Sequence, residues 1–403
     1  MNEWLVVRRP RATRSGVLES AEPIAKTTTR STRHEAPKIT LEEAPTWTDL
    51  PDRHEIDVAA PPMLMSVIKP LPKAKAGAAF IAKAKQTGTA WGLRALGVDP
   101  KILDGGGVTV AVIDTGIMRS HPAFAHIPQE AIVEVDFTVK PGGVQQVSGD
   151  SDGHGTHCAA TICGGVVDGI RIGVAPKIDK LLVAKAIGGT RGSAALLDAM
   201  NWAVANDADV ISMSLGFDFV GYQKYLVDEE NYEPEAAMSM ALTAFRDNVR
   251  VFDAWIALLR ARRKQGFDPL VIAATGNESD RPKFVVDKAS PSEAESVVAV
   301  GAISEAFLIA PFSNKNPTFV GPGVDVLSAG IEEELTVMSG TSMACPHIAG
   351  IAALYWQFAR SSGRATAERV SRMMTNSAEK NRNMLQKYMS SDCGFGMPRA
   401  PGI

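Results

Sequence analysis

Val108 to Gly116 reads VTVAVIDTG, and this stretch decides the fold class. Its first six residues form a continuous apolar, β-branched run, which is typical of a strand buried in a parallel sheet. The Asp-Thr-Gly that follows predicts a turn at the carboxyl end of this strand. An aspartate in such a place is costly unless it is paired, so Asp114 is a candidate functional residue.

Runs of the same kind recur along the chain, and apolar residues with helical spacing at Ala194–Ala205 separate two of them. Alternating strands and helices predict an α/β fold with a mostly parallel central sheet and helices on both faces. Ligand sites in such sheets lie at the carboxyl ends of the strands. The further predicted strands are Leu181–Ala184, Asp209–Leu215, Leu270–Ala274, Val297–Ile303 and Val324–Leu327.

The composition of the 403-residue chain narrows the possible functions. A hydrophobic content of 45% suffices for one large core plus an appendage. The formal net charge of −3 lacks a basic footprint, so we predict no nucleic-acid partner. No stretch approaches the ~18 apolar residues of a membrane span, and Met1–Pro10 has too short an apolar run for a secretory signal. We expect a cytoplasmic protein without a membrane partner and a monomer by default, although export by another route stays open.

Residues 1–85 differ in texture from the rest of the chain. Segment 26–35 lacks apolar periodicity, which favours disorder. Ile56–Ile68 is more apolar but is interrupted by two prolines, and it fits a short strand or a docking segment. Ala74–Lys85 has a weak helical pattern. We predict an N-terminal extension over 1–85, disordered or propeptide-like, followed by one domain over 86–403.

Ser339–His347 reads SGTSMACPH and precedes a long apolar helical stretch. Ser342 is therefore expected near a helix amino terminus, where free N–H groups and the helix dipole favour negative charge. This setting suits an oxyanion that forms beside a serine. Pro346 is compatible with the first turn of such a helix. Taken alone, a serine at a helix start is more often a cap.

Asp152–Ala160 reads DGHGTHCAA and places His154 between two glycines before another helix of small residues. Glycines permit unusual backbone angles and a close approach of substrate. A zinc site is disfavoured, because His154 and His157 do not form a HExxH arrangement. A histidine N–H is a suitable partner for Asp114, since a carboxylate fixes the tautomer and stabilises the imidazolium.

These three motifs resemble the signature blocks of the subtilase superfamily of serine proteases, and their order along the chain, Asp then His then Ser, is the order found in subtilisin. The resemblance covers about residues 88–400. It implies a three-layer subtilisin-like fold, a catalytic triad of Asp114, His154 and Ser342, and endopeptidase activity on peptide or protein substrates through an acyl-enzyme. It implies no required cofactor and no catalytic metal.

The resemblance also implies an oxyanion hole and a substrate groove. Asn277, in the AATGNE stretch, would donate its amide to the oxyanion together with the Ser342 backbone N–H. A peptide would be added as a strand between the Ser214–Gly216 edge and the Gly189–Gly192 edge, and Ala274, Thr275 and Gly276 would form the wall of the primary pocket. The groove residues implied are Gly189, Thr190, Arg191, Ser214, Leu215, Gly216, Ala274, Thr275 and Gly276. Arg191 is unexpected there, and it either favours acidic groups in the substrate or points to solvent.

The chain differs from the family pattern at a common calcium ligand, and it matches one branch of the family at a cysteine. Ala123 stands where an acidic calcium ligand often follows Ser-His-Pro, so the common calcium site is doubtful, while weaker structural calcium sites remain open. The HGTHC motif is similar to the proteinase K branch, with a free cysteine at Cys158. Helical spacing puts Cys158 near His154 and Cys345 near Ser342, so we predict sensitivity to bulky thiol reagents.

Phe217–Ala241 forms an insertion that begins directly after the Ser214–Gly216 edge, and the long helix after it is predicted to begin near Pro234. The insertion fits a lid, a partner-docking element or an inert surface loop.

Three functions stay open: a general intracellular endopeptidase, a selective processing protease, and a catalytically silent binding scaffold with this fold.

Overall fold

The computed structural model describes residues 2–8, 40–71, 78–145, 149–261, 268–295, 297–331 and 333–402. The strands are β1 Asn2–Arg8, β2 Thr40–Ala44, β3 Ile56–Ala60, β4 Met65–Val67, β5 Thr109–Asp114, β6 Ile132–Asp136, β7 Val144–Gln145, β8 Val166–Val167, β9 Ile170–Arg171, β10 Lys180–Lys185, β11 Val210–Met213, β12 Leu215–Phe217, β13 Leu270–Ala274, β14 Val298–Ile303, β15 Phe319–Pro322, β16 Val326–Ala329 and β17 Leu335–Met338. The helices are α1 Ala78–Thr87, α2 Trp91–Ala95, α3 His154–Cys163, α4 Ser193–Ala205, α5 Phe219–Asp228, α6 Pro234–Ala261, α7 Thr341–Ser361, α8 Ala367–Lys380 and α9 Ser390–Cys393.

The central sheet has eight strands in the order β15-β14-β13-β11-β5-β10-β6-β7. All neighbouring pairs are parallel except β6 with β7. The strand from the opening stretch, β5, lies between β11 and β10 and is almost wholly buried. The predicted mostly parallel sheet is therefore confirmed.

Alternate residues of the buried strands belong to two separate cores. Val110 and Val112 pack in the cluster that contains α3 and α7 residues. Ala111 and Ile113 pack in the cluster that contains α4 and α6 residues. Since side chains alternate across a strand, the sheet is covered by helices on both faces, which confirms the expected three-layer α/β arrangement.

One predicted strand lies elsewhere than expected. Val324–Leu327 was expected to extend the parallel series, but β15 forms that edge of the sheet. The chain leaves β15 at Pro322 and Gly323, and β16 pairs with β17 as an antiparallel hairpin. The local apolar run does indicate a strand, whereas its pairing partner depends on the later residues of β17.

The N-terminal part forms a small antiparallel sheet in the order β2-β1-β3. Leu5 and Val7 share a core cluster with Phe252 and Trp255 of α6, whereas Val6 packs in a cluster with Ala44 on the other side. Both faces of β1 are thus covered. Strands at 2–8 and 40–44 differ from the disordered alternative for the N-terminal extension over 1–85 and leave the propeptide-like alternative open, while segment 26–35 lies outside the described residues.

The insertion consists of α5 and the first turns of α6, which begins at Pro234 as expected. Residues of α6 support the N-terminal sheet: the Asn248 side-chain amide donates to Pro61 O at 2.8 Å. Within the described ranges, the helices that are long enough to span a bilayer are not apolar enough to do so.

Candidate functional site

Asp114 and His154 meet at the carboxyl end of the central sheet. Asp114 ends β5, His154 begins α3, and both side chains are fully buried. His154 Nδ1 lies 2.7 Å from Asp114 Oδ1, which also accepts the Thr115 N–H at 2.8 Å. The carboxylate therefore holds the imidazole in the tautomer that leaves Nε2 free to accept a proton.

The environment of His154 sets its protonation. Burial is the largest single influence and disfavours the charged ring, but the charges and hydrogen bonds of Asp114 and Cys158 together outweigh burial and hold the pKa of His154 well above its usual value. Cys158 Sγ lies 4.0 Å from His154 Nδ1. A histidine with this pairing is a strong base once its second nitrogen is accessible.

Ser342 is the second residue of α7 and is fully buried. Helix N–H groups at this end have no intrahelical partner, so charge on the serine oxygen is favoured. Pro346 lies inside the helix, in its second turn rather than the expected first, and it lacks the N–H that Ser342 O would otherwise accept. That carbonyl instead accepts from Ser214 Oγ at 3.0 Å and Cys158 Sγ at 3.4 Å.

The hydroxyl of Ser342 is directed at the N-terminal region of its own chain. Ser342 Oγ donates to Ile68 O at 2.7 Å. His154 Nε2 is buried and has no hydrogen-bond partner within the described part of the chain. The serine and the histidine are therefore not hydrogen-bonded to each other in this arrangement.

Asn277 has a fixed side-chain orientation. Its Oδ1 accepts from Thr341 N at 2.8 Å and from Thr341 Oγ1 at 2.9 Å. These two donors require that Nδ2 points away from α7, and Nδ2 donates to Lys69 O at 2.9 Å. The amide thus presents a donor to backbone carbonyls that lie over the start of α7.

Strand β4 occupies the edge that the sequence assigned to substrate. It pairs antiparallel with β12, with Val67 opposite Leu215 and Ser66 opposite Gly216. Ile68 N continues the ladder by donating to Ser214 O at 3.3 Å. Beyond the serine, Leu71 N donates to Ser339 O at 2.8 Å, so the chain runs through the whole cleft. Ile68 is buried beside Gly216.

The second expected edge is arranged differently. Arg191 donates to Phe137 O at 2.8 Å and to Asp198 Oδ2 at 2.9 Å, and only 11% of its side chain is exposed. It neither points to solvent nor offers a free charge to substrate, because these partners already use its guanidinium. Gly189 lies against Thr138, and Thr190 is exposed.

Ser193, which the sequence did not single out, makes the contact on that side. Its N–H donates to Met63 O at 2.8 Å, and its hydroxyl accepts from Met63 N at 2.9 Å. The preceding Gly192 has a positive φ of 51° and approaches Met63 O closely. The feature of the sequence that could have identified Ser193 is its position directly after Gly-Thr-Arg-Gly at the start of a helix.

The expected pocket wall at 274–276 follows β13. Ala274 and Thr275 are fully buried. The Thr275 hydroxyl donates to Val300 O at 3.2 Å and is therefore turned toward β14. Gly276 has a φ of 107° and donates its N–H to Thr341 Oγ1 at 3.1 Å, which brings the loop of Asn277 against the start of α7.

The cysteines and the acidic side chains of the site determine which metal ions it could bind. Cys158 and Cys345 are free and fully buried, and burial raises the pKa of both thiols. Within the described ranges, the one cluster of potential metal ligands is Asp114, His154 and Cys158, which offers oxygen, nitrogen and sulfur. Calcium prefers oxygen ligands, so this cluster does not fit it. Ala123 contributes only a buried methyl group.

Two buried carboxyl groups beside the site were missed by sequence reasoning. Asp150 lies just before α3, and Glu134 lies in β6. Both oxygens of Glu134 are buried without a side-chain hydrogen bond in the described structure, and burial raises its pKa to about 7. The importance of Asp150 could not be read from the sequence, because carboxylates near a histidine motif are common on solvated loops.

The parallel sheet, the buried Asp–His pair and the serine at a helix amino terminus together define the class of the subtilisin-like α/β proteins. The chain belongs to the subtilase family, whose model matches residues 105–396.

Similar proteins carry names of serine proteases. The cuticle-degrading serine protease of Arthrobotrys oligospora is 33% identical over 73% of this chain and 64% of its own length. The major intracellular serine protease of Bacillus subtilis is 33% identical over 63% of this chain and 70% of its own. The intracellular serine protease of Paenibacillus polymyxa is 32% identical over 64% of this chain and 69% of its own. The chain thus spans a little under two thirds of the first relative.

Proposed function

We propose that this chain is a serine endopeptidase in which Asp114, His154 and Ser342 form the catalytic triad. The single observation that carries the proposal is the fully buried pair of His154 Nδ1 and Asp114 Oδ1 at 2.7 Å beside a serine at the start of α7. Family membership and the names of the relatives support the same reaction.

In the proposed mechanism, His154 Nε2 takes the Ser342 proton and the serine oxygen attacks a peptide carbonyl. Asp114 stabilises the imidazolium that forms. His154 then gives the proton to the leaving amine, and an acyl-enzyme remains on Ser342. Water, activated by His154, hydrolyses the ester and restores the hydroxyl.

The oxyanion of the tetrahedral intermediate is proposed to accept from Asn277 Nδ2 and the Ser342 backbone N–H. The orientation of Asn277 supports this role, since Thr341 holds its oxygen and leaves the amide N–H₂ over the cleft. A donor that is fixed before reaction stabilises developing charge without reorganisation.

Residues 63–71 are proposed to keep the chain latent by acting as a substrate-like strand in the cleft. The β4–β12 ladder supports this binding mode. In an attack geometry, Ser342 and Asn277 would both act on the same carbonyl group. Here Ser342 Oγ donates to Ile68 O, whereas Asn277 Nδ2 donates to the next carbonyl, Lys69 O. Neither peptide group is therefore held for cleavage.

This latent arrangement favours a selective processing protease over a general digestive one. Its proposed substrates are peptides or proteins that enter as an extended strand along Ser214–Gly216, with an apolar residue where Ile68 lies. An intracellular site of action is proposed from the names of the two bacterial relatives and fits four free, buried cysteines.

The alternative function is a silent binding scaffold, and labelling with a fluorophosphonate separates the two. We expect labelling of the wild type to be slow and that of Ile68→Asp to be fast, because a charge in the apolar pocket releases β4. Ser342→Ala abolishes labelling in both backgrounds. If Ile68→Asp stays unlabelled while remaining folded, the scaffold is correct.

The latency proposal has its own control. Lys69→Asp introduces the same charge at the neighbouring exposed position, whose contact with Asn277 uses only the backbone. We expect Lys69→Asp to label at the wild-type rate. Equal rates for Ile68→Asp and wild type, with both chains labelled at Ser342, would show that the strand does not inhibit.

A further inference from the structure

A buried carboxylate joins the two segments that carry Asp114 and His154. Asp150 is 2% exposed and accepts five hydrogen bonds. Its Oδ1 accepts from Thr115 Oγ1 at 2.9 Å, Asp152 N at 3.0 Å and Gly153 N at 3.0 Å. Its Oδ2 accepts from Thr156 N at 2.9 Å and Thr156 Oγ1 at 2.8 Å. Both oxygens are thus fully occupied by donors from the turn after β5 and from the start of α3.

Two threonine hydroxyls form bridges between these segments. Thr115 Oγ1 donates to Asp150 and accepts from Gly155 N at 2.9 Å. Thr156 Oγ1 donates to Asp150 and accepts from Met118 N at 2.9 Å. A hydroxyl can donate only one hydrogen, so the carboxylate determines the direction of both bridges. Each bridge therefore links the turn after β5 to the start of α3.

The bridge between Thr115 and Gly155 ends next to the two residues of the buried pair. Thr115 follows Asp114 and donates its N–H to Asp114 Oδ1 at 2.8 Å, while Gly155 follows His154. A Cβ at Gly155 would overlap Gly116 O and meet Asp114 Cβ at 3.2 Å, so the segments are in close contact. Small shifts here change the Asp114–His154 geometry directly.

Asp150 remains ionised in this setting. Burial opposes its charge, but the hydrogen bonds from Gly153, Thr156 and Thr115 outweigh burial and lower the pKa of Asp150 below its usual value. Its position at the amino terminus of α3 favours the same charge. An amide at this position would replace one acceptor oxygen by a donor that faces other donors.

We propose that Asp150 is a positioning residue, which sets the Asp114–His154 hydrogen bond through the hydroxyls of Thr115 and Thr156. The inference rests on the proposed triad. If Asp150 served only the folding of its own loop, its replacement would lower the stability of the protein. The titration of the His154 imidazole in the folded molecules would stay unchanged.

The test follows the downfield proton resonance of His154 Nδ1–H in the full chain, titrated with pH. This readout needs no turnover. We expect Asp150→Asn to lower the pH midpoint of that resonance by about one unit, because the Asp114–His154 pair loses its alignment. In the Ile68→Asp background, kcat for a small ester should fall roughly 10²-fold with little change in KM.

Asp136→Asn is the matched control, because Asp136 is also buried and accepts from Thr138 N at 2.8 Å and Thr138 Oγ1 at 2.6 Å. It should leave the midpoint unchanged. Thr115→Val should shift the midpoint as Asp150→Asn does, and Thr115→Ser should restore it, which covers the case that Asp150→Asn does not fold. An unchanged midpoint in folded Thr115→Val, or equal shifts in Asp136→Asn, overturns the inference. A wild-type chain without the resonance overturns the proposed triad as well.

Discussion

At the scale of single residues, Pro346 shows how the sequence arranges the neighbourhood of Ser342. Because proline has no N–H, the carbonyl of Ser342 lacks its usual helical donor and accepts from Ser214 and Cys158 instead. One residue thus ties the start of α7 both to the β12 edge and to the helix of His154. The sequence located Pro346 near the helix start, but not the donors that compensate for it.

Asn277 gives the first prediction at this scale. In the Ile68→Asp background, Asn277→Ala should lower kcat by roughly 10²–10³-fold with a much smaller change in KM, because the donor acts on the oxyanion. Steady-state hydrolysis of a short peptide measures both constants. A rise in KM with unchanged kcat would show that Asn277 serves ground-state binding. Asn314→Ala is a useful control, because Asn314 braces the same loop through Thr275 O at 3.0 Å.

Glu134 gives a prediction on stability. Burial raises its pKa to about 7, with Asp150 adding repulsion and the cations Arg119 and Lys185 opposing the shift. A carboxyl with a raised folded-state pKa stabilises the fold below its unfolded pKa, and this contribution is lost as pH rises toward about 7. Glu134→Gln should therefore raise Tm relative to wild type at about pH 8, and the difference should shrink at about pH 4. Thermal unfolding across this range is the measurement, and a difference that does not vary with pH contradicts the assignment.

At the scale of elements, the β1-β2-β3 sheet and α6 explain how the strand in the cleft is held. Leu5 and Val7 pack with Phe252 and Trp255, Asn248 binds Pro61 O, and the chain then runs directly into β4. These contacts come from the part of α6 that follows the insertion, while the insertion itself contacts the segment before β4 through Asp218 N, which donates to Leu64 O at 3.0 Å.

Leu5→Ala tests this support. Removing a buried leucine costs about 2–5 kcal/mol where the site cannot collapse, and here the loss falls on the packing between β1 and α6. We expect faster hydrogen exchange in β4 and a moderate rise in the fluorophosphonate labelling rate. Ile178→Ala, in the cluster on the opposite face of the sheet, should destabilise the fold without selectively exposing β4. If Leu5→Ala loosens the N-terminal sheet but is labelled at the wild-type rate, the packing of this sheet does not control access to Ser342.

The elements also show what local patterns can and cannot predict. Buried runs such as those of β5 and β13 were predictable, because a continuous apolar stretch between turns has few other structures. The role of Ile56–Ile68 stayed open between strand and docking segment, since its partners in β1 and β12 lie far away in the chain. Val324–Leu327 was assigned to the wrong sheet for the same reason. Asp150 and Ser193 could not be identified from the sequence, because their importance arises only from the groups that fold around them.

At the scale of the whole molecule, the proposed mechanism predicts an acid limb in the pH–rate profile. His154 can act as a base only when it is neutral, and its charge pair with Asp114 raises its pKa well above the usual value despite burial. Activity of the Ile68→Asp chain should therefore fall as pH decreases, with a midpoint above the ~6.5 of an ordinary histidine. The profile of kcat/KM for a short peptide measures it. A limb at or below that value would show that Asp114 does not govern the charge of His154.

The most direct test of a latent serine endopeptidase is to locate the covalent adduct by mass spectrometry. The Ile68→Asp chain is treated with a fluorophosphonate, and its peptides are mapped beside those of the Ser342→Ala and His154→Ala forms. We predict a single adduct on Ser342, absent after Ser342→Ala, much slower after His154→Ala, and slower in wild type than in Ile68→Asp. No adduct on folded Ile68→Asp, or an adduct on another residue, would contradict the account.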